Sequence, residues 1–138
     1  MLCTSLNQLQ IAVHVKIPIL VDSLDVHLGL PGLKATGTVK NIGFSFHGTK
    51  ADFEEILKAY PWDFCQMQYN YMDENNQATK SGLLLAASLG IPVIVMEPLR
   101  GGKLVTHLPD QVKKAFASSN ADRSPAEWAL RWCGTIQR

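Results

Sequence analysis

The side chains best equipped for chemistry in this sequence lie on three short runs. Ile42-Gly43-Phe44-Ser45-Phe46-His47-Gly48 carries one hydroxyl, Ser45, near the end of an apolar segment. Gln66-Met67-Gln68-Tyr69-Asn70 carries two amides at alternate positions. Ile94-Val95-Met96-Glu97-Pro98-Leu99-Arg100-Gly101-Gly102-Lys103-Leu104 runs from an apolar segment into a glycine pair flanked by basic residues. Hydroxyls and amides both donate and accept hydrogen bonds, so Ser45 and Gln66 suit a planar polar ligand. Glycines let backbone N–H groups approach a phosphate, and Arg100 and Lys103 add positive charge beside them. Each run also has a structural reading: a strand-end hydroxyl, a hydrogen-bonded polar layer, and a plain turn with solvated basic residues. His14, His27, His47 and His107 show no metal-ligand spacing. Cys3, Cys65 and Cys133 are scattered without a CxxC pair, as expected of free thiols in a reducing cytoplasm.

These runs need elements to hold them. Val39–Ile42 reads as a short strand leading into the Gly43–Phe46 run, with His47-Gly48 as a breaker. Thr49 and Asp52 resemble a weak capping box, and Phe53, Ile56, Leu57 and Tyr60 form one apolar helical stripe that ends at Pro61. Phe64–Tyr69 follows as a strand, with Gln66 and Gln68 on one face and Met67 and Tyr69 on the other. Strand, helix, strand is a βαβ unit, and its parallel strands require such a crossover. Further on, 75–89 reads as a helix ended by Gly90 and Pro92. Pro92–Met96 reads as a strand buried on both faces. Asp110–Ser118 reads as a helix with Val112, Ala115 and Phe116 inward. Ser124-Pro125-Ala126-Glu127 is a strong helix start, with Trp128 and Trp132 on one face.

The first 40 residues are less regular. Residues 5–10 suggest the end of a helix, Ile17–Val21 a buried strand weakened by Pro18, and Leu28–Gly37, with its glycines and proline, a loop. Composition is that of an ordinary globular chain, 46% hydrophobic and 18% charged with net charge +1. That balance argues against general attraction to nucleic acid or to an anionic membrane surface. The longest apolar stretches are too interrupted for a transmembrane helix, and Ile11–Val21 lacks the basic leader of a signal peptide.

In order and spacing, IGFSFHG, QMQYN and IVMEPLRGGKL resemble the aldo-keto reductase superfamily, over roughly Val39 to Trp132. The resemblance implies an α/β fold, a TIM-type (β/α) barrel of parallel strands alternating with helices, within one domain over 1–138. It also implies NAD(P)H-dependent reduction of aldehydes or ketones with NADP or NAD as cofactor. Cofactor-binding positions carried over from the family are Ser45 and Gln66 for the nicotinamide carboxamide and Met96 against the ring. Leu99, Arg100, Gly101 and Lys103 follow for the diphosphate. Phe46 stands where the family often has Asn, removing one amide contact. Nothing corresponds to the cysteine-rich iron–sulfur segment found in the branch that looks most similar.

A complete TIM barrel takes about 250 residues, so 138 residues are expected to hold an incomplete, central-to-C-terminal part. The family's catalytic Asp, Tyr, Lys and His are not recognisable; Asp22 of Leu20–Leu24 stands where the family's histidine would be. No residue is therefore assigned a catalytic role, and the chain alone is expected to be inactive. Two alternatives stand beside this reading: a non-catalytic, subunit-like half-barrel that self-associates through open sheet edges, and a truncated or frame-shifted product. One coding of Val-Trp-Asn-His-Pro-Glu, shifted by one nucleotide, translates as Cys-Gly-Thr-Ile-Gln-Arg, which is Cys133–Arg138.

Overall fold

The computed structural model describes residues 9–14, 19–21, 32, 34–37, 39–119 and 122–135. Among these residues five strands form one sheet: β1 (Leu9–His14), β2 (Ile19–Val21), β3 (Asn41–Phe46), β4 (Phe64–Gln68) and β5 (Val93–Met96), in the order β2-β1-β3-β4-β5. Among the described residues, α1 (Lys50–Ala59), α2 (Thr79–Ser88), α3 (Asp110–Ala117) and α4 (Pro125–Thr135) accompany them. The strands β3, β4 and β5 are parallel, with α1 and α2 as the crossovers. This is the (β/α) repeat of a partial TIM-type barrel.

Helix α1 begins where the sequence indicates. Thr49 accepts a hydrogen bond from the Asp52 N–H at 3.3 Å and donates to the Asp52 carboxylate at 2.8 Å. A cap of this kind contributes about 1 kcal/mol. From its inner stripe Phe53 and Leu57 are buried, and Phe53 meets Phe46 and Phe44 with ring centroids 5.2 and 5.8 Å apart. Trp62 closes the lower end of this cluster, its indole N–H donating to the Ile56 carbonyl at 2.8 Å. The core thus lies between the outer face of β3 and β4 (Ile42, Phe44, Phe46, Cys65, Met67, Tyr69) and the helices. Gly82 lets α2 approach α1 closely, since a Cβ there would sit 2.9 Å from the Phe53 ring.

Several expectations are corrected. The strand at the first run is Asn41–Phe46, longer than Val39–Ile42 suggested, because Phe44 and Phe46 continue its buried face. Residues 9 and 10 are strand, the start of β1, where a helix end was expected. Strand β1 pairs antiparallel with both β2 and β3, so the sheet is not parallel throughout. Only residues 15–18 join β1 to β2, too few for the crossover that a parallel pair requires. Gly32, Lys34 and Ala35 are helical where a loop was expected. Gly37, at φ +71, ends this turn.

The helix expected over 75–89 begins only at Thr79, because Asn70, Asp73 and Asn76 organise the preceding residues into turns. Strand β5 is not buried on both faces. Ile94 is 49% exposed, because among the described residues β5 has no strand on its far side and nothing covers its inner face. In α3, Val112 and Phe116 are half-buried and Ala115 is exposed, so its inward face is narrower than expected. Helix α4 starts as read, with the Glu127 N–H donating to Ser124 Oγ at 3.2 Å. Cys3, Asp22 and His27, together with 136–138, lie outside the described residues.

Candidate functional site

The parallel register brings the polar side chains of two runs together. Ser45 pairs with Gln66 across β3 and β4, while Gln66 pairs with Ile94 and Gln68 with Met96 across β4 and β5. Side chains alternate along a strand, so Ser45, Gln66, Gln68, Ile94 and Met96 all lie on the inner face, opposite the helix-covered core. Gly43 belongs to this face too. A Cβ there would lie 2.5 Å from the Phe64 ring, so only glycine lets that ring lie across the strand.

Ser45 is 6% exposed, and its hydroxyl donates to Met96 Sδ at 3.7 Å. Strands two apart lie about 9–10 Å from each other, so this contact reaches across β4. A thioether is a weak acceptor, which leaves the Ser45 hydroxyl able to exchange it for a stronger partner. The two glutamines differ sharply. Gln68 donates to Asp73 Oδ2 at 3.1 Å and accepts from Gln77 Nε2 at 3.0 Å. Gln66, half-buried between Ser45 and Ile94, makes no side-chain hydrogen bond among the described residues. Of the two amides, only that of Gln66 remains available.

Beyond Met96 the chain turns through Glu97–Leu104. Glu97 and Arg100 have positive φ (53° and 50°), as do Gly101 (61°) and Gly102 (87°). Arg100, Gly102, Lys103 and Leu104 donate their backbone N–H groups within the loop, at 2.9 to 3.2 Å. Leu99 and Gly101 are the two residues from Leu99 to Leu104 whose N–H makes no backbone hydrogen bond among the described residues. The glycine pair therefore serves the turn first, and offers fewer free N–H groups than its composition suggests. Leu99 is half-buried, and Arg100, Gly101 and Lys103 are exposed.

Sequence reasoning missed the group that ties the strand ends to this loop. Asn70 donates to Asp73 Oδ2 at 2.8 Å and to the Glu97 carbonyl at 3.1 Å, and accepts from the Met72 and Asp73 N–H groups. Arg100 Nε stands 3.8 Å from Asp73 Oδ2. Burial works against the charge on Asp73, but hydrogen bonds from Asn70 and Gln68 and the nearby Arg100 outweigh it and hold its carboxyl below the ordinary value. The signal in the sequence was the spacing Asn70, Asp73, Asn76, three turn-forming side chains directly after a strand.

The tyrosines are placed elsewhere. Tyr69 is fully buried on the core face and stacks on Trp132, at 5.4 Å between centroids. Burial, with Glu74 nearby, pushes its phenol up to about 12. Tyr71 donates its hydroxyl to the Leu104 carbonyl at 2.8 Å, and burial raises its pKa as well. Tyr60 packs on Trp62 at the opposite end of β4, 4.8 Å between centroids. No described tyrosine stands on the inner face. Cys65 and Cys133 are buried free thiols, and burial raises the Cys65 thiol to about 12. His47 and His107 are exposed. Among the described residues there is no cluster suited to a metal ion and no helix long and apolar enough to cross a membrane.

A family model described as the aldo/keto reductase family matches residues 10–137. No curated protein and no solved structure gives a match.

Proposed function

The chain belongs to the aldo/keto reductase family, and from that premise we propose that its inner face holds the nicotinamide end of an NAD(P)H site. Family membership places the chain among oxidoreductases. The observation that carries the finer reading is the strip Ser45–Gln66–Met96. Among the described residues it offers a hydroxyl whose partner is a sulfur and an amide with none, beside a second glutamine whose amide both donates and accepts. A nicotinamide carboxamide presents one acceptor and two donors in a plane, which a hydroxyl and an amide side by side can answer. Met96, lying over β4, would pack its thioether against the ring. The Gly101 N–H, the Leu99 turn and the side chains of Arg100 and Lys103 would meet the diphosphate. Phe46 stays in the core and adds nothing to the site.

When bound, the nicotinamide supplies the hydride for reducing an aldehyde or ketone. A developing alkoxide then needs a proton, and this chain's described residues offer no group for that step. Tyr69 faces the core, Tyr71 is engaged, and both phenols are made less acidic by burial. The chain alone therefore binds cofactor without turning over. A non-catalytic binding role is the second reading, favoured by that same absence of an acid on the inner face. NADPH oxidation assayed over a panel of aldehydes tests the point. The expected rate equals the enzyme-free blank, and clear turnover would show that a proton donor has been overlooked.

A further inference from the structure

Among the described residues Arg100 has one ion-pair partner: its Nε lies 3.8 Å from Asp73 Oδ2, and its side chain is 49% exposed. Asp73 is different: its side chain is 6% exposed and it is fixed by Asn70 at 2.8 Å and Gln68 at 3.1 Å. The same Asn70 amide reaches the Glu97 carbonyl at 3.1 Å, where the loop leaves β5. A buried carboxylate costs several kcal/mol unless it is paired. This one accepts hydrogen bonds from Asn70 and Gln68 and faces the arginine beside the glycine pair.

We propose that Asp73 is a positioning residue for phosphate recognition: with Asn70 it sets the Glu97–Leu104 loop, and its charge, 3.8 Å from Arg100 Nε, biases the guanidinium so that its outer nitrogens meet a diphosphate. The inference rests on the cofactor reading above and adds to it a residue that touches no ligand. Only a guanidinium can serve both sides at once, because its donors are arranged in a rigid planar fork. A lysine ammonium is a point charge and would be drawn to one side or the other.

The test is calorimetric titration of the full chain with 2′-phospho-ADP-ribose, which carries the diphosphate without nicotinamide. Asp73→Asn and Arg100→Ala should each weaken binding about tenfold, and the double variant should lose no more than either alone. A structural role for Asp73 would persist in the Arg100→Ala background, so additive losses overturn the proposal, as does unchanged affinity in Asp73→Asn. Should Asp73→Asn not fold, the exposed position decides. Arg100→Lys is expected to bind nearly as weakly as Arg100→Ala, and recovery of parental affinity by lysine overturns the two-sided role. NADPH titration of Gln66→Ala separates this inference from the reading beneath it. Loss there with no effect at Asp73 sinks the positioning role alone, and no NADPH binding by the parent sinks both.

Discussion

Gln66 and Gln68 are the same residue two positions apart on one strand face, yet only Gln68 has its amide engaged. Replacing Gln68 by alanine should cost about 1–2 kcal/mol, because the hydrogen-bonding groups of Asp73 and Gln77 lose a partner in a half-buried place. Gln66→Ala should lie within about 0.5 kcal/mol of the parent, as for a side chain without such ties. Urea unfolding of the two variants measures the difference, and equal losses would show that Gln66 is structural after all. The alternation that puts both on one face was legible in the sequence. Their different commitments were not, because the partners of Gln68 sit in a loop whose fold depends on Asn70 and Asp73 meeting the start of another loop at Glu97.

At the lower end of the sheet one carboxylate joins three pieces of chain. Asp63 receives Lys34 Nζ at 2.6 and 2.8 Å and the Ile42 N–H at 2.8 Å, and its own N–H donates to the Ile42 carbonyl at 2.8 Å. It thereby holds the short helical turn that ends at Gly37 against the starts of β3 and β4. Glycine and proline in Leu28–Gly37 hid that turn, since propensity alone penalises both inside a helix; Gly37, at its end with φ +71, is at a tolerated position. Burial tends to raise the pKa of Asp63, but Lys34 and the Ile42 N–H more than offset it, so the carboxyl sits below its ordinary 3.8. A group whose folded pKa is depressed stabilises the fold above its unfolded pKa and stops doing so as pH falls through the folded value. Stability should therefore be level above about pH 5 and decline below about pH 4. In Asp63→Asn that decline should be shallower, starting from a lower plateau. Denaturation midpoints taken between pH 7 and pH 3 would show it, and an acid limb of unchanged steepness would mean the pair contributes nothing.

For the molecule as a whole, the βαβαβ core from Asn41 to Met96 was legible because period-2 and period-3.6 patterns follow one another with clear breakers. Strand β1 and its antiparallel pairing were not, although the strand read over Ile17–Val21 contains β2, Ile19–Val21. Leu9–His14 alternates apolar and polar residues at first, but which neighbour it pairs with depends on the short link 15–18 and on the edge of β3 opposite β4. The inner face followed the same division: register placed Ser45 beside Gln66 and Met96 beside Gln68, whereas the Ser45–Met96 contact, the turn-bound N–H groups of the glycine loop and the Asn70–Asp73 link needed the folded chain. The central claim is that the inner face recognises nicotinamide through Gln66. Parent chain and Gln66→Ala, each titrated with NADPH and with 2′-phospho-ADP-ribose, test it most directly. The account predicts about a tenfold loss of NADPH affinity in the variant, a change of about 1.4 kcal/mol, with 2′-phospho-ADP-ribose bound as tightly as by the parent. Unchanged NADPH affinity, or an equal loss for both ligands, would contradict it.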